Sequence, residues 1–422
     1  MLLKYEFENF NSFKEKVSFS MLAPSTKVKN RFRDNYVKLT NGFDVQKTAV
    51  IVGENAGGKS NFVHSFSLLK YFFTNNDSVN SRKYLINSNY CHTDCPQRAD
   101  TIQSFFVEIS DQDDVIYSYE LKYDFLGIIN EKLSLKKKKS EKSKVVFDVN
   151  RNDKDIKCDR NNCESEKCHI DKVHMGYKLG LNSDYIKGFD KRLFENSSPD
   201  QRMGLFVTKF SILDCVPAVK FVKLIKDSLL PESNYITFDL YKAIKKEQED
   251  LDVLRDDRYF KIFRLVDYSI FKVDIDEDDP FKKSIVYRKG RDGRVFTREL
   301  GKDSSGVREF FAWAVQIFKV IYENKIVIAD EMDRVLNPVL ADRIVSLING
   351  TDHKGQFIFT THNVLHLDLK NYMKEQIYFI TKDVETLESE MYSLSEFPEV
   401  RYETSKVYEF YMKGILGGTA SE

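Results

Sequence analysis

Gly53-Glu54-Asn55-Ala56-Gly57-Gly58-Lys59-Ser60 fits the pattern G-x-x-x-x-G-K-[ST] at every fixed position. Each fixed residue has a task in holding phosphate. Glycines let the backbone wrap closely, so that successive N–H groups point at phosphate oxygens. A helix that begins where the loop ends adds its positive dipole end. In this pattern Gly53, Asn55, Gly57 and Gly58 shape the cradle, Lys59 reaches the outer phosphates, Ser60 offers a hydroxyl to Mg²⁺, and Asn61 follows in the first helical turn. The expected ligand is a nucleotide held by its phosphates, with Mg²⁺ as its companion ion.

Hydrolysis needs a carboxylate for the metal and a group to activate water. The apolar run Ile326-Val327-Ile328-Ala329 ends in Asp330-Glu331. Asp330 is the expected metal-holding residue, direct or through water, and Glu331 beside it is the expected base. A second apolar run, Phe357-Ile358-Phe359-Thr360-Thr361, ends in His362, where an imidazole would meet the γ-phosphate or the attacking water. Ser304-Ser305-Gly306 precedes another apolar helix. Read alone, it is an ordinary N-cap, although hydroxyls and free N–H groups at a helix start also suit a phosphate.

These residues need elements that bring them together. Leu2–Phe7 and Val17–Leu22 alternate as half-buried strands, and Thr48–Val52 reads as a buried strand before the glycine loop. Phe62, Phe66, Leu69 and Phe73 recur at helical spacing after it. Ser104–Ile109 and Val115–Tyr123 alternate as strands, 150–175 is polar with little periodicity, and 205–265 looks helical with Pro217 and Pro231 as breakers. Strands resume at Lys283–Arg288 and Arg294–Glu299. A helix carrying Phe310, Phe311, Ala314, Ile317, Phe318 and Ile321 follows, then Ile326–Ala329, a helix opened by Pro338, Gln356–Thr361 and Ile377–Ile380. Short apolar strands alternating with helices at both ends of the chain imply an α/β fold with a largely parallel core sheet. The expected organisation is one domain made of 1–74 and 301–422, interrupted by an insertion at 75–300; the family resemblance given below makes that domain an ATPase head and 75–300 a β lobe plus a mainly helical, partner-specific region.

The 422 residues carry 65 Lys+Arg and 65 Asp+Glu. That balance excludes a surface that coats nucleic acid throughout, so any such contact must be a local patch. Lys136–Lys139 is the candidate, although a lysine run is more often a solvated loop tip. No apolar run approaches the ~18 residues of a membrane span, and the N-terminus lacks a leader pattern, so a cytoplasmic protein with no membrane contact is expected. The six cysteines are then expected to be reduced. Cys158, Cys163, Cys168 and His169, and separately Cys91, His92 and Cys95, lack paired C-x2-C spacing, which favours free thiols over zinc.

The whole chain resembles the ABC-type ATPases of the RecF- and SMC-like group. It is most similar to the bacterial AAA-labelled ATPases of anti-phage and abortive-infection systems, relatives of the OLD-family ATPase domain. The resemblance rests on Asn9-Phe10-Asn11-Ser12-Phe13, the glycine loop (Walker A), Ser304-Ser305-Gly306, Asp330-Glu331-Met332-Asp333, Leu336-Asn337-Pro338, Thr360-Thr361-His362 and the tail Tyr392–Phe397 with Gly414 and Gly417-Gly418. Asn337 departs from the family's usual His, and Val307 from its usual Thr. The resemblance implies an ABC-type P-loop ATPase head with a mixed β lobe. It makes Asp330 the Walker B residue and Leu336-Asn337 the D-loop. It also implies that Ser304-Ser305-Gly306 acts as a signature on the nucleotide of another chain, giving a homodimer or higher homo-oligomer through the nucleotide faces. A sensor or scaffold role beside a separate effector protein is implied as well, with a RecF-like DNA-maintenance ATPase as the alternative. The Q-loop glutamine is Gln103 or Gln112.

Overall fold

The computed structural model describes residues 1–74, 102–124, 127–158, 173–187, 204–232, 248–334 and 336–417. The alternating N-terminus forms β1 (Leu2–Glu8), which pairs with β2 (Val17–Ser20) across the turn Asn9–Phe13. A small hairpin, β3 (Tyr36–Lys38) and β4 (Asp44–Gln46), leads into β5 (Thr48–Gly53). Helix α1 (Lys59–Thr74) follows and buries Phe62, Phe66, Leu69 and Phe73 on one face. Next come five strands, β6 (Gln103–Ser110), β7 (Ile116–Asp124), β8 (Gly127–Lys136), β9 (Lys144–Cys158) and β10 (Val173–Leu181). They join β1 and β2 in one antiparallel sheet, in the order β10-β9-β8-β7-β6-β1-β2.

Helices α2 (Phe206–Ile212) and α3 (Val216–Ser228) pack on this lobe, and β11 (Leu229–Glu232) follows directly. Glu131 on β8 ties α2 down. Its buried carboxylate accepts from the N–H groups of Phe206 at 2.6 Å and Val207 at 2.7 Å and from the Tyr119 hydroxyl at 3.1 Å. Burial nevertheless pushes its pKa up to about 7.

Then come α4 (Gln248–Leu254), α5 (Asp257–Phe263), β12 (Ile270–Asp274), α6 (Pro280–Lys283), β13 (Ile285–Lys289) and β14 (Val295–Glu299). The chain finishes with α7 (Ser305–Glu323), β15 (Ile326–Ala329), α8 (Pro338–Gly350), β16 (Gln356–Thr361), β17 (Ile377–Lys382), β18 (Ser389–Ser393) and α9 (Val407–Met412).

The central sheet has the order β11-β15-β16-β5-β17-β18. All its pairs are parallel except β17–β18. Its four inner strands, β15, β16, β5 and β17, are apolar on both faces because each face meets a separate core. Ala49 and Ile51 of β5, Ile358 of β16 and Ile380 of β17 join the core shared with α1 and the antiparallel lobe. Val50, Val52, Phe357, Phe359 and Phe379 join the core under α5, α7 and α8. Double burial explains continuous apolar runs in place of alternation. Among the described residues, no helix is long and apolar enough to cross a membrane.

Two expectations change. Within 75–300, β6 to β10 build a lobe larger than the two strands read there, 150–158 and 173–175 belong to the β9–β10 hairpin, and helices α2 to α5 lie within 205–265. Within 205–265, Pro217 starts α3 instead of breaking it, since the first helical turn has no use for its missing N–H. Pro231 sits in β11, the edge strand of the central sheet, where a missing donor is tolerated.

A buried glutamine stitches the two sheets. Gln356 Nε2 donates to the carbonyls of Leu2 at 2.9 Å and Gln46 at 3.0 Å, while its Oε1 accepts from the Leu2 N–H. Gln356→Leu leaves three buried backbone groups unpaired, and each orphan costs about 1–3 kcal/mol. Urea unfolding should show a loss of more than about 2 kcal/mol.

Candidate functional site

Parallel register sets the site. Val52 is opposite Thr361, Ala329 is opposite Phe359, and Gly53 is opposite Ile380. The loops after β5, β15 and β16 therefore leave the sheet at one edge, the carboxyl ends of the strands, where ligands bind in open α/β sheets.

At the first of these loops the backbone is crowded. A Cβ on Gly53 would lie 2.3 Å from the Ile380 carbonyl, so only glycine lets β5 end beside β17. Gly58 has φ +117°, and its missing Cβ leaves space filled by the hydroxyls of Ser389 and Ser12. Ser389 Oγ donates to the Gly57 carbonyl at 2.6 Å and lies 2.7 Å from Ser12 Oγ. Asn61 Nδ2 reaches the same Ser12 hydroxyl at 2.8 Å, and Asn11 Nδ2 reaches Asn61 Oδ1 at 3.3 Å. The turn Asn9–Phe13 thus braces the glycine loop from outside. Asn55 is exposed and Ser60 half-buried on the other side.

Lys59 Nζ donates to the carbonyls of Gly53 at 2.9 Å and Glu54 at 2.7 Å. Burial lowers its pKa, while the charges of Glu331, Asp330 and Glu54 oppose that. The lysine and the carboxylates after β15 therefore share one electrostatic neighbourhood. His64, one turn further along α1, feels the Asp330 charge too, with burial holding its pKa down.

Asp330 is almost fully buried, and its Oδ1 accepts from Thr360 Oγ1 at 2.6 Å. The same hydroxyl accepts from the Glu331 N–H at 2.8 Å. Glu331 has φ +46°, a left-handed conformation that a non-glycine residue adopts under constraint and that clusters at functional sites. His362 Nε2 lies 3.1 Å from Glu331 Oε1, both side chains being partly open to solvent. Among the described residues, no cluster of three or more His, Cys, Asp or Glu could hold a metal alone. Mg²⁺ does not ask for one. It takes hard oxygen donors, commonly one or two carboxylates with phosphates and water. Asp330 and the Ser60 hydroxyl fit that demand.

Ser304-Ser305-Gly306 lies elsewhere. Ser304 caps α7, its Oγ accepting from the Val307 N–H at 3.4 Å. Behind it, Asp303 accepts from the Ser304 N–H at 2.8 Å and pairs with Arg288 at 2.8 Å, and Arg288 also pairs with Asp267 at 2.8 Å. Ser304 and Gly306 line a cavity of about 680 Å³ together with Leu336, Asn337, Arg288 and Arg343. No wall of this cavity comes from residues 53–61. Asn337 caps α8, with Oδ1 accepting from the Val339 N–H at 2.9 Å. The structure therefore gathers Gly53–Asn61, Asp330, Glu331 and His362 at one place, and Ser304, Gly306, Leu336 and Asn337 at another.

Of the two glutamines, Gln103 is buried and donates to the Asn9 carbonyl at 2.6 Å, beside the turn that braces the glycine loop. Gln112 is exposed, and its carbonyl accepts from Lys354, which precedes β16 and so lies at the opposite end of the sheet. The basic run is partly committed. Lys136 pairs with Glu108 at 2.8 Å, and Lys136 and Lys139 both lie over the Phe43 ring. Lys137 and Lys138 are exposed at the β8–β9 turn. Cys91, His92, Cys95, Cys163, Cys168 and His169 lie outside the described residues, as does Gly418. Sequence reading named the segments holding Ser12, Thr360, Thr361 and Asp333 without giving these residues tasks, and it passed over Ser389 and His366. Single hydroxyls and carboxylates far apart in the chain carry no spacing signal.

With this geometry in view, comparison with known proteins is informative. The family model described as "AAA domain, putative AbiEii toxin, Type IV TA system" matches residues 49–368, a span from β5 to just beyond His362. The chain belongs to this family. Its members are P-loop ATPases, which agrees with the glycine loop and the carboxylate-bearing edge. No curated protein matches the chain. Among solved structures, an Smc head bound to the C-winged helix domain of ScpA is similar at 15% identity and TM-score 0.45, covering 93% of this chain and 97% of that one. The SMC head domain from Thermotoga maritima is similar at 13% identity and TM-score 0.39, covering 93% and 98%. A Pyrococcus furiosus Smc head with an extended coiled coil, bound to the C-terminal domain of ScpA, is similar at 12% identity and TM-score 0.42, covering 94% and 97%.

The crowding at Gly58 gives a test. In Gly58→Ala the new methyl meets Ser389 Oγ at 2.6 Å and the backbone is held at φ +117°. ATP affinity measured by equilibrium binding should fall at least about tenfold, since strain of this kind costs about 1–3 kcal/mol. The far-UV spectrum should be unchanged.

Proposed function

We propose that this chain is a Mg-dependent ATPase whose association with a second copy, head to tail through the nucleotide faces, works as a switch. The observation that carries the reading is the convergence of Lys59, Asp330, Glu331 and His362 at one sheet edge, while Ser304 and Gly306 stand on a different surface. In this reading Gly53, Asn55, Gly57, Gly58 and Asn61 shape the cradle for ATP, and Lys59 neutralises its outer phosphates. Ser60 and Asp330 hold Mg²⁺, which neutralises charge on the β- and γ-phosphates. Glu331 takes a proton from the attacking water, and His362, in contact with Glu331, orients that water and the γ-phosphate. Ser304, Ser305 and Gly306 close over the nucleotide of the partner copy, with Leu336 and Asn337 beside them.

The head is then built from 1–74 and 301–422, and 75–300 supplies the lobe and the partner-specific surface. The family description points to a toxin system, and we assign the chain to anti-phage defence by abortive infection, as the sensor or scaffold ATPase of a separate effector protein. The DNA-maintenance alternative draws less support, since the ion pair of Lys136 and the ring contact of Lys139 leave a short exposed basic tip.

Two variants test the site. Lys59→Ala removes the charged partner of buried phosphates and should weaken ATP binding by about 100-fold or more, measured with labelled ATP. Glu331→Gln keeps shape and polarity. It should still bind ATP, lower turnover by about 100-fold or more, and sediment in excess Mg-ATP as a larger species than wild type. Wild-type turnover in Glu331→Gln would rule out its role as the base.

A further inference from the structure

We infer that Asp333 is a positioning residue for the pair Glu331–His362, acting through Thr361 and His366; the inference rests on the hydrolytic reading of that pair. Strand β16 ends in two consecutive threonines, which point to opposite faces of the sheet. Each hydroxyl makes the same two kinds of bond. Thr360 Oγ1 accepts from the Glu331 N–H and donates to Asp330. Thr361 Oγ1 accepts from the Asn363 N–H at 2.8 Å and donates to Asp333 Oδ2 at 2.7 Å. The loop after β15 is thus tied to the end of β16 at two points, one on each side of the strand.

The second tie ends in a pair of buried side chains. The side chains of Asp333 and His366 are 5% and 3% exposed, and His366 Nε2 lies 3.5 Å from Asp333 Oδ2. His366 Nδ1 is 3.2 Å from the Tyr372 hydroxyl, and its ring packs edge-on against Phe359 and Tyr372. Burial alone would raise the pKa of Asp333, yet the nearby His366 ring and the Thr361 hydroxyl hold it below the usual carboxylate range.

Position follows from these bonds. Glu331 is held in its left-handed conformation by its N–H on Thr360 and its carbonyl on the Arg334 N–H at 3.1 Å. His362 directly follows Thr361, so the hydroxyl that Asp333 fixes sets where the imidazole begins. The Asp333 carbonyl also accepts from the Leu336 N–H at 3.2 Å, where the segment carrying Asn337 starts. The Asp333 carboxylate therefore joins the strand end before His362 to the segment that carries Glu331, while its backbone carbonyl holds the first turn toward the Ser304 cavity. A catalytic group displaced by about 1 Å can lose about 100-fold in rate while its ligand still binds.

The test separates kcat from affinity in four variants beside the Glu331→Gln control. Thr361→Val is close in shape and removes both bonds of the hydroxyl, Thr361→Ser keeps them, Asp333→Asn keeps an acceptor without the charge facing His366, and His366→Gln keeps a polar group in the pocket. Thr361→Val, Asp333→Asn and His366→Gln should bind ATP within about twofold of wild type and lose about 10- to 100-fold in kcat, with Thr361→Ser close to wild type. The inference is overturned if Thr361→Val and Asp333→Asn keep their kcat, if kcat and affinity fall together, or if Thr361→Ser is as slow as Thr361→Val. Unfolding of the variants other than Thr361→Ser also overturns it, by assigning Asp333 a purely structural task. A wild-type kcat in Glu331→Gln is a different failure, that of the hydrolytic reading itself.

Discussion

Everything at the site depends on one constraint, the parallel hydrogen-bonded register of β15, β16, β5 and β17. Parallel strands must share a direction, so their following loops emerge at one edge. β5 comes from the first fifty-odd residues and the other three from beyond residue 320. Two distant pieces of chain become one site only because β5 inserts between β16 and β17. The apolar character of all four strands follows from the same arrangement, since both faces of the sheet are covered by a core. Gln356 adds a side-chain clamp that fixes the N-terminal lobe to this sheet at the end away from the site.

Within that frame the loops are locked by short polar contacts. The glycine loop is pressed between β17 and the braced turn at Ser12, where Gly53 and Gly58 leave no space for a side chain. The Asp330–Asp333 segment is bent at Glu331 and sewn to β16 by Thr360 and Thr361. Such locking has a functional sense. Electrostatic catalysis works best with groups that need no reorganisation when charge develops. The surface around Ser304 is held by Arg288 between Asp267 and Asp303, and it faces its own cavity.

The parts of this fold that repeat a pattern were legible in the sequence. The glycine loop with a buried strand before it and a helix after it, the Asp330-Glu331 pair and the strand ending in His362 all lie where their types and spacing imply. The lobe was less legible. The polar sequence of the later part of β9 shows no strand alternation, and β11 was hidden because four residues that include Pro231 look like a helix break. The hydroxyl and carboxylate contacts were invisible for another reason: Ser12 and Ser389, or Asp333 and His366, meet only after the sheet forms, and nothing local marks them. Ser304 shows the limit from the other side. Its geometry in one chain is that of a helix cap, and only a second copy would give its exposed hydroxyl a phosphate.

That last point is the centre of the account, and mixing two inactive chains measures it most directly. Lys59→Ala has a defective cradle. Ser304→Arg has a signature blocked by a long cation, with its own cradle intact. In a head-to-tail pair of one of each, one site carries both defects and the other carries neither. The account predicts that each variant alone is inactive and that mixtures regain ATPase activity, with a maximum near equal amounts. Mixed dimers that form and show no activity would contradict it, leaving Ser304-Ser305-Gly306 as a helix cap and the site as the property of a single chain.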